Sequence, residues 1–184
     1  METADAAHPD GQYARGAKLF HWVTIPPLAL VILSGLTIRF ASDAAKTSFY
    51  TLHESLGLLL LPLALARLVF RLRHPPPAWP AHMSGTVRFG AEAVHYVLYG
   101  MLMLQPVIGV LTSNAYGFPQ RDETAFLGFV NLPAFMDAAP DLARVLHWIH
   151  SLSGWLLVPL LAAHVGATIY HHAVRGDGTL MRML

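Results

Sequence analysis

The segment from His150 to His172 constrains this chain most, because it is an apolar stretch of membrane-spanning length with histidines at both ends. His150 and His164 are 14 residues apart. On an α-helix that spacing places two side chains within roughly 40° of one face and about 21 Å apart along the axis. Ionisable residues inside such a helix are costly and usually face the interior of a bundle. The segment therefore predicts two ligand sites stacked across a bilayer, whose other halves must come from the rest of the chain.

The composition favours a membrane protein. Hydrophobic residues make up 54% of the 184 residues, and charged residues make up 12%, about half the usual charged share of a soluble domain. The length predicts a single domain over residues 1–184. The sequence has no cysteine, which excludes disulfides, thiolate metal sites and haem attached through thioether bonds. The net charge of +1 gives no indication of a nucleic-acid partner.

Four long apolar runs predict an all-α membrane protein built as an up-down four-helix transmembrane bundle. Each run approaches the roughly 20 residues that span hydrocarbon, and helices keep their backbone hydrogen bonds internal as a bilayer demands. The expected spans are about 19–40, 50–72, 91–112 and 145–172. The expected connections are a retained polar tail over 1–18, a turn over Ala41–Ser48, a proline-rich linker after Arg73 and a long connection over Ser113–Ala139.

Basic residues predict how this bundle is oriented, because short cytoplasmic loops carry an excess of Lys and Arg. One side of the predicted bundle has eight: Arg15, Lys18, Arg67, Arg71, Arg73, Arg88, Arg175 and Arg182. The other side has four: Arg39, Lys46, Arg121 and Arg144. This bias predicts that both termini and the 73–90 linker are cytoplasmic, and that the 113–139 connection is periplasmic.

Depth in the predicted bundle then pairs the histidines. His21 begins the first span near the cytoplasmic surface, at the depth of His164. His53 begins the second span near the periplasmic surface, at the depth of His150. Because haem iron takes axial imidazoles from facing helices, the two pairs predict two b-type haems. A closed zinc site normally collects four ligands, which neither level offers.

Other polar residues near these levels have competing interpretations. Arg67 lies 14 residues after His53, and its guanidinium suits either a haem propionate or lipid headgroups. His147 is a rival of His150 but is rotated from it by about 60°. His95 is interpreted as a structural or propionate contact. A single histidine at a helix end is more often a hydrogen-bonded neighbour of headgroups, and it is the matched set of four that favours ligation.

Four groups of residues resemble the bacterial cytochrome b561 family, and within it most the small di-haem members that oxidise superoxide. The groups are LFHW, TLHESLG with LARLVFRLRHPPP, VHYVLY with PVIG, and HSLSGW with LLAAHVGATIYHH. The likeness runs from about Tyr13 to Leu184. Two features depart from the family pattern, namely the adjacent Pro26 and Pro27 and the 113–139 connection.

The resemblance implies a multi-pass protein of the bacterial inner membrane. It also implies that His21, His53, His150 and His164 are the haem ligands, in agreement with the depth argument. It further implies that ubiquinone binds near His171.

His171 lies seven residues after His164, so it shares the same helix face about 10 Å nearer the predicted cytoplasmic side. That position suits a proton donor or hydrogen-bond partner of a quinone carbonyl. The alternative is that His171 and His172 only anchor the helix at the membrane surface.

Two functions of different class remain open. The first is an enzyme, a superoxide:ubiquinone oxidoreductase that takes electrons from periplasmic superoxide through the haems to ubiquinone, with no side chain acting as a nucleophile. The second is a non-catalytic electron-transfer and membrane-anchor cytochrome b subunit between quinol and a redox partner protein. The expected partners are membrane lipid, ubiquinone, and superoxide or a periplasmic redox partner, while the oligomeric state stays open.

Charge on the predicted periplasmic side bears on this choice. Four basic residues there face six acidic ones, so no gross positive field attracts a superoxide anion. A local cluster drawn from Arg39, Lys46, Arg121 or Arg144 could still do so.

Overall fold

A computed structural model describes residues 11–80, 83–121 and 125–184. It contains four α-helices: α1 (Arg15–Thr37), α2 (Asp43–Arg73), α3 (Gly85–Ala115) and α4 (Pro140–Ala173). Two short 3-10 helices cover Ile38–Phe40 and Pro119–Arg121. Two strands, β1 (Ala125–Phe126) and β2 (Val130–Asn131), form an antiparallel hairpin.

The four helices are each long and apolar enough to cross a membrane, in agreement with the prediction of four spans. Their helical segments extend beyond the predicted limits at most ends. The predicted turn over Ala41–Ser48 is wrong, because α2 already begins at Asp43. The polar residues there belong to the first helical turn, where Lys46 donates to Asp43 over 2.7 Å. The predicted tail over 1–18 is also too long, since α1 begins at Arg15, and its first ten residues lie outside the described part of the chain.

Local signals explain where the helices begin and continue. Ser84 precedes α3, and its hydroxyl oxygen accepts a hydrogen bond from the backbone N–H of Val87 over 3.4 Å. Pro140 occupies the first turn of α4, as predicted, where a missing N–H costs nothing. The α-helical assignment of α1 continues through Pro26 and Pro27.

Contacts between consecutive helices show that they run antiparallel. Gly16 near the start of α1 lies against Phe70 near the end of α2, and Gly35 lies against His53. From α2 to α3, Ser113 donates to Glu54 over 3.2 Å. The fold is therefore the predicted up-down bundle. The first described residues and the C-terminus lie at one end, called here the terminal end, and the 116–139 connection lies at the other, the loop end.

The exterior of the bundle is apolar. Phe89, Tyr96 and Leu104 of α3 are 73%, 75% and 60% exposed, as are many large apolar side chains on the other helices. An apolar surface of this extent is unfavourable in water. It fits lipid around the helices, and the protein is accordingly a multi-pass membrane protein.

The 116–139 connection covers the loop end. The backbone N–H of Leu127 donates to Ser55 Oγ over 2.8 Å, and that of Phe135 donates to Asn114 Oδ1 over 3.1 Å. Ala139 N–H donates to the Ala115 carbonyl over 2.9 Å. These bonds hold the connection against the ends of α2 and α3, above the site described next.

Candidate functional site: two histidine pairs

His53 of α2 and His150 of α4 face each other near the loop end and are called here the loop-side pair. Their ring centroids are 5.9 Å apart, and the ring planes cross at 82°. His53 Nδ1 lies 3.0 Å from the Val31 carbonyl oxygen and 3.2 Å from Ser34 Oγ. Because a carbonyl only accepts, this contact places the ring proton on Nδ1 and leaves a lone pair on Nε2. A second-sphere bond of this kind is typical of a histidine that ligates a metal.

Glycines make room for the loop-side pair. A Cβ added at Gly35 would lie 2.8 Å from His53 Cε1, closer than such contacts occur, and one at Gly109 would lie 3.4 Å from His150 Cε1. Both glycines border a cavity of about 500 Å³ that reaches the two histidines. This volume is within the usual range of a cofactor pocket.

Two buried polar atoms at this cavity make no hydrogen bond of normal geometry within the described part of the chain. They are Gln105 Oε1 and His150 Nδ1, although the backbone carbonyl of Gln105 lies toward the His150 ring. The Gln105 amide nitrogen is occupied, since it donates to the His150 carbonyl over 3.2 Å and to Ser153 Oγ over 2.8 Å. Unsatisfied polar atoms beside a cavity are what a site lacking its ligand would show.

His21 of α1 and His164 of α4 face each other nearer the terminal end and are called here the terminal-side pair. Their ring centroids are 6.2 Å apart at 59°. Arg67 donates from Nη2 to His21 Nδ1 over 2.8 Å, and its guanidinium lies 5.3 Å from the centre of the Tyr99 ring. Arg67 therefore points into the bundle and not toward lipid headgroups. Ligation through Nε2 of His21 would put the ring proton on Nδ1, so Arg67 must release that atom when a metal binds.

Two further histidines lie near the pairs. His95 is 5.2 Å from His164 between ring centroids, and its Nδ1 lies 2.7 Å from the Ala91 carbonyl oxygen. His147 borders the loop-side cavity, with its ring 6.2 Å from that of Tyr116. Neither was predicted to be a ligand.

The distance between the two ring centroids of each pair can be compared with the distance expected for two imidazoles bound to one iron. Two imidazoles on one metal lie about 6 Å apart, because each metal–nitrogen bond is about 2 Å and each ring adds about 1 Å to its centroid. The loop-side pair at 5.9 Å and the terminal-side pair at 6.2 Å match this separation, whereas His95 and His164 are closer. The described residues contain no group of three or more metal-ligating side chains. Such pairs suit a metal whose other ligands come with it, as in haem.

The family model for prokaryotic cytochrome b561 matches residues 12–184. Cytochrome b561 homolog 2 of Escherichia coli (strain K12) is 34% identical over 179 residues, which cover 94% of this chain and 91% of that protein. This chain belongs to the cytochrome b561 family. The match confirms the resemblance found in the sequence.

Two more relatives of this cytochrome b561 family member align with most of its length. Cytochrome b561 homolog 1 of the same organism is 25% identical over 94% of the chain and 97% of its own length. The probable superoxide oxidase CybB of Yersinia pestis is 27% identical over 89% of the chain and 90% of its own length. The family consists of electron-transfer proteins of the bacterial inner membrane that bind haem b, and this protein is a membrane electron-transfer protein of that kind.

His171 of this cytochrome b561 family member lies at the terminal end of α4, as predicted. Its Nδ1 is paired with a carboxylate oxygen of Asp177, and the two side chains are only 18% and 3% exposed. Sequence reasoning missed Asp177. The signal available was an acidic residue between Gly176 and Gly178, in a turn six residues after the histidine.

Proposed function

We propose that this protein holds two haem b groups and moves electrons between the periplasmic side and the ubiquinone pool. The terminal-side pair, His21 and His164, would hold one group, and the loop-side pair, His53 and His150, the other. The observation that carries the proposal is the separation of about 6 Å within both pairs, at two levels of one bundle. When bound, such haems supply one-electron redox chemistry.

The chain's own residues prepare each site for this group. The Val31 carbonyl orients His53 and keeps its Nε2 lone pair available. Gly35 and Gly109 leave the space that a larger side chain would fill. Arg67 brings a permanent positive charge to the terminal-side pair, which suits a carboxylate such as a propionate.

The reaction we propose is oxidation of superoxide to O2 coupled to reduction of ubiquinone. Each superoxide anion gives up one electron, and ubiquinone takes up two electrons and two protons, so two superoxide anions are consumed per quinol. Support comes from the relative named a probable superoxide oxidase. The charges at the loop end give independent support.

The four basic residues predicted for the loop end differ in their surroundings. Lys46 and Arg144 pair with Asp43 and Asp141, one helical turn away. Arg39 instead lies 5.2 Å from the centre of the Trp155 ring. Arg121 lies 5.3 Å from the centre of the Phe118 ring, and its Nη1 donates to the Tyr116 carbonyl over 3.2 Å.

Both of these aromatic rings line the loop-side cavity. The Arg39 guanidinium thus lies beside a residue that lines the cavity, although the loop end as a whole is not positive. A local positive charge of this kind raises the encounter rate of a small anion.

The purified protein, exposed alone to a steady superoxide flux with a soluble ubiquinone analogue, tests this function. We expect the α-band of reduced haem b to appear and quinol to form at one per two superoxide anions consumed. If the haem stays oxidised under that flux while dithionite reduces it, superoxide is not the donor. That result would favour the alternative of a membrane-anchor subunit served by a redox partner protein.

A further inference from the structure

Asp177 lies in a turn that folds back on the end of α4. Gly176 and Gly178 on either side have φ values of 60° and 71°, which glycine adopts at no steric cost. The Asp177 backbone N–H donates to the His171 carbonyl over 3.2 Å. The turn thereby brings the Asp177 carboxylate against the imidazole of His171.

Both carboxylate oxygens of Asp177 have hydrogen-bond donors. Oδ2 pairs with Nδ1 of His171. Oδ1 accepts from the Thr179 hydroxyl over 2.6 Å and from the Thr179 backbone N–H over 3.1 Å. Burial acts to raise the pKa of Asp177, but the hydrogen bonds from Thr179 and His171 outweigh it and lower the pKa to about 2. Asp177 is therefore a carboxylate at neutral pH.

A carboxylate at Nδ1 orients an imidazole. It accepts the Nδ1 proton, which fixes the tautomer and the ring orientation. His171 is thus held with Nδ1 committed to Asp177, and Nε2 is the atom left for a ligand.

We propose that Asp177 is the positioning residue for proton delivery to ubiquinone, acting through His171. This inference rests on the proposed function and on the contact between His171 and ubiquinone predicted from the sequence.

In the proton step, the bond between Nε2 and its proton breaks and an O–H bond forms on a quinone carbonyl oxygen. The electrons come from superoxide, one from each anion. The ring is then neutral with its proton on Nδ1 toward Asp177. Water supplies the proton that restores the ring, and a second cycle supplies the second proton.

Other contacts hold the same C-terminal segment in place, so Asp177 is not needed merely to dock it. Arg182 donates to the carbonyl oxygens of Gly11 and Ala78, each over 2.7 Å. Trp22 Nε1 donates to the Met183 carbonyl over 2.8 Å. A change of Asp177 to Asn, which is nearly isosteric, should therefore leave the segment bound.

Stopped-flow oxidation of the dithionite-reduced holoprotein by a soluble ubiquinone analogue tests the inference without superoxide. We expect D177N to lower the limiting rate at saturating quinone by at least about tenfold, as loss of an organised proton donor does. The quinone concentration at half-saturation should change by less than about twofold, because the quinone contact itself remains. The matched control is Thr179→Val, which removes one hydrogen bond to the same carboxylate and should stay within about twofold of the unchanged protein.

The double variant D177N/H171L shows whether Asp177 acts through His171. We expect it to be no slower than H171L alone, because residues that act as one unit are not additive. A further slowing in the double variant, or loss of haem in D177N, would overturn the inference by showing a structural role.

The variants also separate this inference from the proposed function. A normal rate in D177N with a slow H171L overturns only the role of Asp177. A normal rate in H171L overturns the quinone role of His171 itself.

Discussion

His53 is oriented by its own neighbourhood as a metal ligand would be. Its place in the loop-side pair could be predicted from the sequence, because spacing and depth put it level with His150. The Val31 carbonyl that orients its ring could not be predicted, since every residue offers a carbonyl and only the packing of α1 on α2 selects one. The role of Gly35 against the ring has the same origin.

Gly35→Val is the residue-scale test of the loop-side site. We expect it to displace the His53 ring and reduce bound haem from two groups to about one, because an added Cβ alone would lie 2.8 Å from Cε1. The haem-to-protein ratio measures this. Gly166→Val in α4 is the matched control, since a Cβ there meets nothing within 4 Å, and it should keep both haems. Full haem content in the Gly35 variant would show that His53 is not a ligand.

His171→Leu tests the predicted ubiquinone site, where the proposed electron path from superoxide ends. Leucine keeps the bulk but has no proton to donate, so quinol formation should fall at least about tenfold. Both haems should stay bound and reducible by superoxide, because His171 is seven residues from His164 in the sequence. Optical spectra and quinol assays on one preparation make both measurements. Unchanged quinol formation would remove His171 from the account.

The helices could be predicted better than the segments that join them. Apolar length and prolines such as Pro140 are strong local signals, so four long apolar helices were expected and are present. The early start of α2 was missed because Asp43 and Lys46 read as a polar turn, whereas in the fold they pair within the first helical turn. The folded-back segment after α4 was also missed, because its contacts with Gly11 and Ala78 join distant parts of the sequence.

The segment after α4 supplies the element-scale prediction. Arg182→Ala removes two hydrogen bonds from a charged donor, each of which contributes roughly 1.5–3 kcal/mol in favourable settings and less where exposed. We expect faster amide hydrogen exchange over residues 177–184, with both haems retained, in a mass-spectrometric measurement. Met181→Ala, at a side chain that is 52% exposed, is the control and should exchange as the unchanged protein does. Equal exchange in the two variants would mean that Arg182 does not hold the segment.

At the scale of the whole molecule, the first described residues and the C-terminus lie at one end of the bundle. The bias of eight basic residues against four predicts that this end is cytoplasmic. Reporter fusions in the linker near Gly85 and at the C-terminus should therefore register as cytoplasmic. A fusion at Gly128 in the 116–139 connection should register as periplasmic. The reverse pattern would place the basic residues of the loop end on the cytoplasmic side, where they could not attract periplasmic superoxide as the proposed reaction requires.

The central claim concerns the whole molecule, namely two haem sites stacked in one bundle. Its most direct test is pyridine haemochrome analysis of the purified protein against its chain concentration. We predict two non-covalent b-type haems per chain, falling to one in His53→Ala or His150→Ala, with the same remaining spectrum in both. The His21→Ala and His164→Ala variants should each lose the terminal-side haem and keep the loop-side haem. One haem or none in the unchanged protein, or losses that cross these pairs, would contradict the account.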